Sequence, residues 1–256
     1  MKPASKPLIG LTCRFDENND SYYLPADYSR AVAAAGGIPV EVPLIPEAAG
    51  ELAASLDGIV LCGSASDVDP ARYGQPRRPE VKTIHPDLDE TASRLLEHAF
   101  REKKPVVAIC YGVQFLNVFL DGTLIQHIPQ GVPAALEHHD SGTRHAVRIS
   151  PGSRLAEWAG GEMEIGVNST HHQSIEKLGR KLRVVGRTSD SIIEAVEGND
   201  PDHFLMGVQW HPERIWKEEQ VSRRIFSELV HASTEYCNRF RHGFAKIVEI
   251  PAAEPL

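Results

Sequence analysis

The sequence predicts an α/β fold in which a mostly parallel central sheet is built from strands joined by crossover helices. In the first half of the chain, short apolar runs alternate with segments of helical periodicity, a pattern typical of parallel strands and helices. In the second half, five runs of β character follow one another closely, which indicates some antiparallel pairing at one side of the sheet. The 256 residues suffice for one large core, and we predict a single domain over residues 1–256.

Four apolar runs in the first half are predicted strands, at residues 7–13, 38–44, 58–62 and 105–110. The last two are almost wholly apolar, as strands buried on both faces are. A helix is predicted over residues 27–35, because a glycine pair follows it and glycine commonly ends helices. A second helix is predicted over residues 89–103, where leucines share one face and the last turn is basic.

The second half continues with predicted strands at residues 145–150, 163–169, 182–188, 192–198 and 204–210. A helix is predicted from about residue 218 to residue 239, since Val221, Ile225 and Leu229 are spaced to bury one face. Residues from about 241 to 256 are predicted to form a flexible tail, because chain ends are commonly frayed.

Charge and hydropathy narrow the range of partners to a small-molecule substrate. The net charge is -8, and the scattered Lys and Arg residues form no basic stripe that could neutralise nucleic-acid phosphates. No apolar run approaches the ~20 residues of a membrane span, and the N-terminus lacks the apolar core of a signal peptide. We therefore expect no nucleic acid, no membrane and no cofactor, and predict a cytoplasmic location. The sequence leaves open whether two copies of the chain form a homodimer.

Cys110 is the candidate nucleophile. It lies at the carboxyl end of a predicted parallel strand, where ligands bind in open α/β sheets. Ala108 and Gly112 lie two positions away on either side, and small residues there permit a sharp strand-to-helix elbow. The amides of the new helix favour a thiolate. The alternative is an inert buried cysteine, which is how the other three cysteines are interpreted.

His211 is the candidate base. It follows the apolar strand at residues 204–210, and Pro212 restricts its backbone to extended geometry. Residues two apart on an extended segment face the same way, so Glu213 is expected to orient the imidazole. The pattern predicts a Cys-His-Glu triad, with an ordinary surface ion pair as the alternative.

A loop that follows the strand at residues 58–62 is expected to supply an oxyanion hole. Turn-forming residues there can expose backbone N–H groups. The amide of Gly63 or Ser64 would act on one side and the amide of Tyr111 on the other. An ordinary strand-to-loop turn is the alternative.

Four segments in this order, GSASDVDP, AICYGVQFLN, VNSTHHQ and GVQWHPE, resemble the class I glutamine amidotransferase superfamily and, within it, the γ-glutamyl-γ-aminobutyrate hydrolase (peptidase C26) family. The resemblance extends from Leu8 to about Leu229. It implies a flavodoxin-like three-layer α/β fold, and it makes Cys110, His211 and Glu213 the nucleophile, base and orienting acid. It also implies hydrolysis of a γ-glutamyl amide through a thioester, a reaction of polyamine catabolism in the case of the named hydrolase.

The same resemblance assigns side chains to the γ-glutamyl pocket. Asn168, His171 and Gln173 are expected to line it, with a helix cap as the alternative for Asn168. Gln114 lies one helical turn after Cys110, faces the same side and is expected to contact the substrate.

Two departures from the family pattern keep alternative functions open. Tyr111 stands where Arg is frequent, as in several ammonia-supplying amidotransferases. Leu88 replaces the Arg of an Arg-Asp pair of which Asp89 is kept. The alternatives are a glutaminase subunit that passes ammonia to a synthetase, and a non-catalytic binding module.

A histidine-rich segment that includes His138 and His145 suggests metal ligands at first sight. Its spacing is irregular, so we predict loop and pocket lining rather than a metal site. Both histidines match positions that are commonly histidine in the family.

Overall fold

The structure is a computed structural model that describes residues 6–140 and 142–245. Its strands are β1 (Leu8–Thr12), β2 (Arg14–Asp16), β3 (Ser21–Tyr23), β4 (Ile38–Val42), β5 (Gly58–Leu61), β6 (Val106–Ile109), β7 (Leu124–Ile125), β8 (Arg144–Ile149), β9 (Glu164–Asn168), β10 (Ser174–Ile175), β11 (Leu182–Arg187), β12 (Ile193–Gly198) and β13 (Leu205–Val208). Its α-helices are α1 (Ala26–Ala34), α2 (Pro46–Ser55), α3 (Pro86–Glu102), α4 (Tyr111–Phe119), α5 (Ile128–Gly131), α6 (Arg154–Trp158) and α7 (Gln220–Ala245). Short 3-10 turns lie at Pro70–Tyr73 and Pro212–Arg214.

The central sheet has nine strands in the order β4-β1-β5-β6-β13-β12-β11-β8-β9. Neighbours from β4 to β13 run parallel, and neighbours from β13 to β9 run antiparallel. The predicted α/β fold, with antiparallel pairing at one side of the sheet, is confirmed.

The sheet is the middle layer of the molecule because its central strands are apolar on both faces. Along β6, Val106 and Ala108 belong to one buried core, whereas Val107 and Ile109 belong to the other. Helices α3 and α4 pack into the first core, and α1 and α7 pack into the second. Each fully buried aliphatic side chain contributes about 1.5–3 kcal/mol, so the two cores hold the helix layers against the sheet.

Two helices differ in length from their predicted ranges. Helix α3 begins at Pro86 rather than at residue 89, because proline is favoured in the first helical turn. Helix α7 extends to Ala245, so that residues 241–245 of the predicted tail are helical. The remaining tail, residues 246–256, lies outside the described residues.

Within residues 6–140 and 142–245, no helix combines the length and apolar character that crossing a bilayer demands.

The sheet order brings three chain segments to one edge. Strands β5, β6 and β13 are parallel neighbours, so their carboxyl ends lie side by side. The loop that contains Ser64 follows β5, Cys110 follows β6, and His211 lies shortly after β13. This edge is where open α/β sheets bind their ligands.

Candidate active site

Cys110 lies in the sharp turn between β6 and α4, as the sequence predicts. Its backbone has φ 52° and ψ -107°, a positive-φ conformation that is strained for a non-glycine residue. Gly112 explains how the turn packs: a Cβ at this position would lie 2.1 Å from the carbonyl oxygen of Leu61 in β5. The thiol is held at a fixed bend, and Cys110 is only 6% exposed.

His211 and Glu213 contact each other through a buried hydrogen bond. Nδ1 of His211 lies 2.7 Å from Oε1 of Glu213, and the Glu213 carboxylate is buried. The predicted contact is present, and His211 itself has φ -110° and ψ 83°. The expected extended segment from His211 to Glu213 is wrong, because a 3-10 turn starts at Pro212. The proline favours this turn because its fixed φ suits a first helical position.

The pKa values of the two side chains shift in opposite directions. Burial raises the pKa of the Cys110 thiol, but the charge of His211 and a hydrogen bond from it outweigh burial and lower that pKa. Burial lowers the pKa of His211, whereas the charges of Cys110 and Glu213 raise it to about 9. Both shifts favour a thiolate paired with an imidazolium.

The two candidate amides of the loop after β5 differ in their contacts. The N–H of Gly63 donates to the hydroxyl of Tyr28 at 3.0 Å, and the Gly63 carbonyl accepts a hydrogen bond from Arg14 Nε at 2.6 Å. Gly63 is therefore a fixed anchor of the loop, and its expectation as an oxyanion donor is corrected. Ser64 lines the cavity and is the candidate donor on this side. Tyr111 is the first residue of α4, where backbone N–H groups lack helical partners.

A cavity of about 340 Å³ opens above the thiol. Of the side chains expected to contact substrate, Gln114, His171 and Gln173 line this cavity. Gln114 Nε2 donates to the Gln173 carbonyl at 3.1 Å, which ties helix α4 to the loop after β9. The full lining is Arg14, Ser64, Ala65, Ser66, Asp67, Lys82, Cys110, Tyr111, Gln114, His139, Thr170, His171, His172, Gln173, His211 and Arg214.

Asn168 is not part of this lining. Its Nδ2 donates to the carbonyl of His211 at 3.0 Å, and its Oδ1 accepts from the N–H of His211 at 2.9 Å. Both the expected substrate contact and the alternative helix cap are corrected. The side chain of Asn168 clamps the backbone of the candidate base, and nothing in the local sequence indicates a partner so distant along the chain.

Tyr111 and Asp89 belong to a buried support beneath the elbow. The hydroxyl of Tyr111 donates to the Asp89 carboxylate, whose other oxygen lies 2.9 Å from Nε of Arg72. Arg72 therefore supplies the cation that the sequence lacks at Leu88.

A group of three histidines surrounds one buried carboxylate behind the cavity. His138, His145 and His171 approach Glu194 of β12, and we refer to these four residues as the Glu194 cluster. Burial raises the pKa of Glu194, but the surrounding histidines lower it to about 2. Glu194 could not be recognised from the sequence because it is a single acid within an apolar strand.

Three cationic side chains at the cavity were also missed: Arg14, Lys82 and Arg214. They come from β2, the loop before α3 and the 3-10 turn at Pro212–Arg214, and isolated cations of this kind carry no sequence pattern.

The family model of peptidase C26 matches residues 7–213 of the chain. A protein of Mycobacterium tuberculosis named as a glutamine amidotransferase is 37% identical over 247 residues, which cover 92% of this chain and 78% of that protein. The γ-glutamyl-γ-aminobutyrate hydrolase of Escherichia coli O157:H7 is 32% identical over 243 residues, which cover 89% of this chain and 94% of that protein.

Among solved structures, the chain is similar to a Thermoplasma acidophilum protein described as a GMP synthase subunit. The TM-score is 0.65 at 16% identity, and the match covers 93% of this chain and 98% of that one. This likeness confirms the flavodoxin-like α/β fold.

Proposed function

Because the chain belongs to the peptidase C26 family of class I glutamine amidotransferases and is a glutamine amidotransferase-like hydrolase, we propose that it cleaves γ-glutamyl amide bonds with Cys110, His211 and Glu213 as its triad. The observation that carries the proposal is geometric: Cys110, held in the strained turn before α4, lines one cavity with His211, and Nδ1 of His211 lies 2.7 Å from Oε1 of Glu213. The substrate class is γ-glutamyl-γ-aminobutyrate or a related γ-glutamyl amine.

The first half of the reaction acylates the enzyme. The Cys110 thiolate attacks the γ-carbonyl carbon, and the carbonyl oxygen takes up negative charge opposite the N–H groups of Ser64 and Tyr111. The tetrahedral intermediate collapses when the C–N bond breaks, and the His211 imidazolium gives its proton to the departing amine. The product of this half is a γ-glutamyl thioester on Cys110.

The second half hydrolyses the thioester. His211, now neutral, removes a proton from a water molecule that attacks the thioester carbonyl carbon. Collapse of this second intermediate breaks the C–S bond, releases glutamate and restores the thiolate beside the imidazolium. Glu213 keeps the ring oriented and stabilises its charge in both halves.

Three cations and one acid, Asp67, line the cavity, and this excess of positive charge supports an anionic substrate. A γ-glutamyl group carries an α-carboxylate, and a γ-aminobutyrate leaving group carries a second carboxylate. Arg14, Lys82 and Arg214 line the cavity, so cations are available for both. Glutamine lacks the second carboxylate and would leave part of this positive charge unused.

The test is a panel assay with the purified chain alone, in which free glutamate is measured from γ-glutamyl-γ-aminobutyrate, other γ-glutamyl amines and glutamine. We expect kcat/KM for the best γ-glutamyl amine to exceed that for glutamine by tenfold or more, equivalent to ~1.4 kcal/mol or more in transition-state binding. Cys110→Ala should abolish turnover. Cys62→Ala, at a buried cysteine outside the cavity lining, is the matched control and should retain most activity.

The same assay distinguishes the proposed hydrolase from a glutaminase subunit. Equal or better use of glutamine, or activity only when a synthetase is added, would favour an ammonia supplier. Tyr111, the residue that suggests this alternative, is buried and bonded to Asp89, which gives it a supporting role in the fold.

A further inference from the structure

We propose that the Glu194 cluster binds one divalent transition-metal ion, with Zn²⁺ as the best fit. Binding of this ion does not depend on the role proposed for the triad. The side chain of Glu194 is fully buried, and the side chains of the three histidines are at most 5% exposed. A carboxylate so far from water requires compensation by positive charge or by several hydrogen bonds.

The distances from Glu194 to the three histidines are close to the distance between two ligands of one ion. Oε1 of Glu194 lies 3.2 Å from His171 Nε2, 3.3 Å from His145 Nε2 and 3.6 Å from His138 Nδ1. Zinc bonds of ~2.0–2.1 Å in tetrahedral geometry place neighbouring ligand atoms ~3.3–3.4 Å apart. One ligand atom from each of His138, His171 and Glu194 lies within 4.8 Å of the other two, so these three are grouped as a bound ion requires, and His145 is a further candidate because its Nε2 is close to Glu194 Oε1.

Hydrogen bonding does not account for these short distances. Oε1 of Glu194 and the three facing nitrogens are buried and have no hydrogen-bond partner among the described residues. The contacts are close, yet none has hydrogen-bond geometry. Four inward-facing polar atoms without partners are expected where an additional atom belongs between them.

The outer contacts of two histidines fix which nitrogen faces inward as a lone pair. Nδ1 of His171 lies 2.9 Å from the carbonyl oxygen of Gln173, which can only accept, so this nitrogen carries the proton. Nε2 of His138 lies 3.0 Å from the Asp190 carboxylate and is the donor there. When the rings are neutral, as metal binding requires, the opposite nitrogens carry lone pairs that face the anionic oxygen of Glu194. A cation between them removes the repulsion, and a histidine held by a carboxylate or a carbonyl is the usual outer arrangement of a metal ligand.

The kinds of ligand atom indicate which metal ion binds and whether its role is structural. Three imidazoles and one carboxylate suit Zn²⁺ better than Mg²⁺ or Ca²⁺, which prefer oxygen ligands. A buried set of protein ligands describes a structural site, with His138, His171 and Glu194 as the grouped ligands and His145 as the candidate for the fourth position. The ion would join β8, β12 and the loop after β9, and so fix His171 at the wall of the cavity.

The test measures metal rather than activity. Protein purified without a histidine tag is stripped with a chelator and titrated with Zn²⁺ against a chromophoric competitor. We expect one ion per chain and, with Co²⁺ as the probe, the strong visible absorption of a tetrahedral complex. Saturating Zn²⁺ should raise Tm by on the order of 5–10 °C at a hundredfold excess over Kd.

Variants locate the ion. Glu194→Gln and His145→Gln should lose binding, and Asp190→Asn should weaken it by about 10–100-fold through loss of the outer contact. His139→Gln, next to His138 but outside the cluster, is the matched control and should bind one ion. If Glu194→Gln does not fold, X-ray absorption of the wild-type Zn²⁺ protein decides, because it should report about three imidazoles among four nitrogen or oxygen ligands.

Two results would overturn the proposal. One is a wild-type protein that binds no ion after equilibration with Zn²⁺, with doubly protonated histidines by NMR, which would make the cluster a set of ion pairs. The other is a bound ion whose affinity depends on His139 and not on Glu194, which would place it on the surface.

Discussion

Asn168 holds the backbone of His211 from both sides, through its side-chain N–H donor and its side-chain carbonyl acceptor. We predict that Asn168→Ala lowers kcat by about 10–100-fold with little change in KM, because a misplaced catalytic group costs rate without removing a substrate contact. Steady-state kinetics with the best γ-glutamyl amide measure both constants. Asn199→Ala is the control, since Asn199 bonds the carbonyl of Leu182, away from the cavity. A variant that changes KM alone would instead make Asn168 a substrate ligand.

The opposite pKa shifts of Cys110 and His211 predict the pH dependence of thiol alkylation. The wild-type thiolate persists below the ordinary thiol pKa, so iodoacetamide labelling of Cys110 should stay nearly constant from about pH 7 to pH 9. In His211→Ala the stabilising charge is gone and burial raises the thiol pKa. The labelling rate at pH 7 should then be lower than in the wild type, and it should rise steeply with pH. Peptide mass spectrometry separates Cys110 from Cys13, whose pKa burial raises to about 11.

We expect kcat to depend on pH as well, and to fall at high pH. In the proposed mechanism the imidazolium of His211 protonates the leaving amine, so we expect kcat to fall as pH rises through about 9, where His211 loses its proton. Identical alkylation profiles in wild type and His211→Ala would show that the two side chains do not pair.

The sequence predicts some of these residues and misses others for a physical reason. Cys110, His211 and Glu213 could be proposed because short local patterns mark two strand ends, a strand-to-helix elbow and a histidine two residues before an acid. Glu194 and the actual role of Asn168 could not, because their partners are distant along the chain and only the folded sheet brings them together.

The junction of β6 and α4 packs against β5 only because Gly112 has no side chain. Gly112→Ala would place a Cβ 2.1 Å from the backbone of β5. We expect it to destabilise the fold by about 1–3 kcal/mol or more and to reduce activity, because the elbow moves away from its neighbour strand. Urea unfolding measures the first effect.

Gly50→Ala is a matched control for this substitution. Gly50 lies inside α2, and an alanine Cβ there would have no described atom within 4 Å outside its own helical neighbours. Alanine should therefore stabilise the helix by about 0.5–1 kcal/mol. Equal unfolding midpoints for the two variants would contradict the packing argument.

Element boundaries were predictable where the ends carry their own signals. The glycine pair after α1 and the apolar runs of β5 and β6 are such signals. The start of α3 shifted because Pro86 suits a first turn. The end of α7 shifted because no proline follows residue 239 until Pro251, so nothing near the predicted end forces a helix to stop.

At the scale of the whole molecule, the sheet is protected in its middle and open at its ends. Strand β6 is fully buried, whereas β9 is an edge strand with exposed positions. We predict that backbone amides of Val106–Ile109 exchange with deuterium slowest and that those of Glu164–Asn168 exchange much faster. Hydrogen-exchange mass spectrometry tests this, with the opposite edge, β4, as an internal reference. Equal protection of β9 and β6 would contradict it and would indicate that another copy covers this edge.

The alternation of strands and helices was enough to predict the α/β class, since periodicity reports burial directly. The strand order was beyond such a prediction. Strand β13 lies beside β6 although roughly one hundred residues separate them in the chain. This placement depends on the packing of both faces of the sheet, and a short stretch of sequence carries no information about that packing.

The register between β6 and β13 pairs Ile109 with Val208, and it has a consequence for protein engineering. The spacing of Cys110 and His211 is set by a hydrogen-bonded ladder rather than by the loops that carry them. A designer who wished to transplant this pair would need three adjacent parallel strands in the same register, with segments 58–64, 106–114 and 205–213 grafted at their ends. A slip of one residue would turn every side chain of the grafted strand to the opposite face, so the recipient scaffold should be chosen by strand register before any side chain is considered.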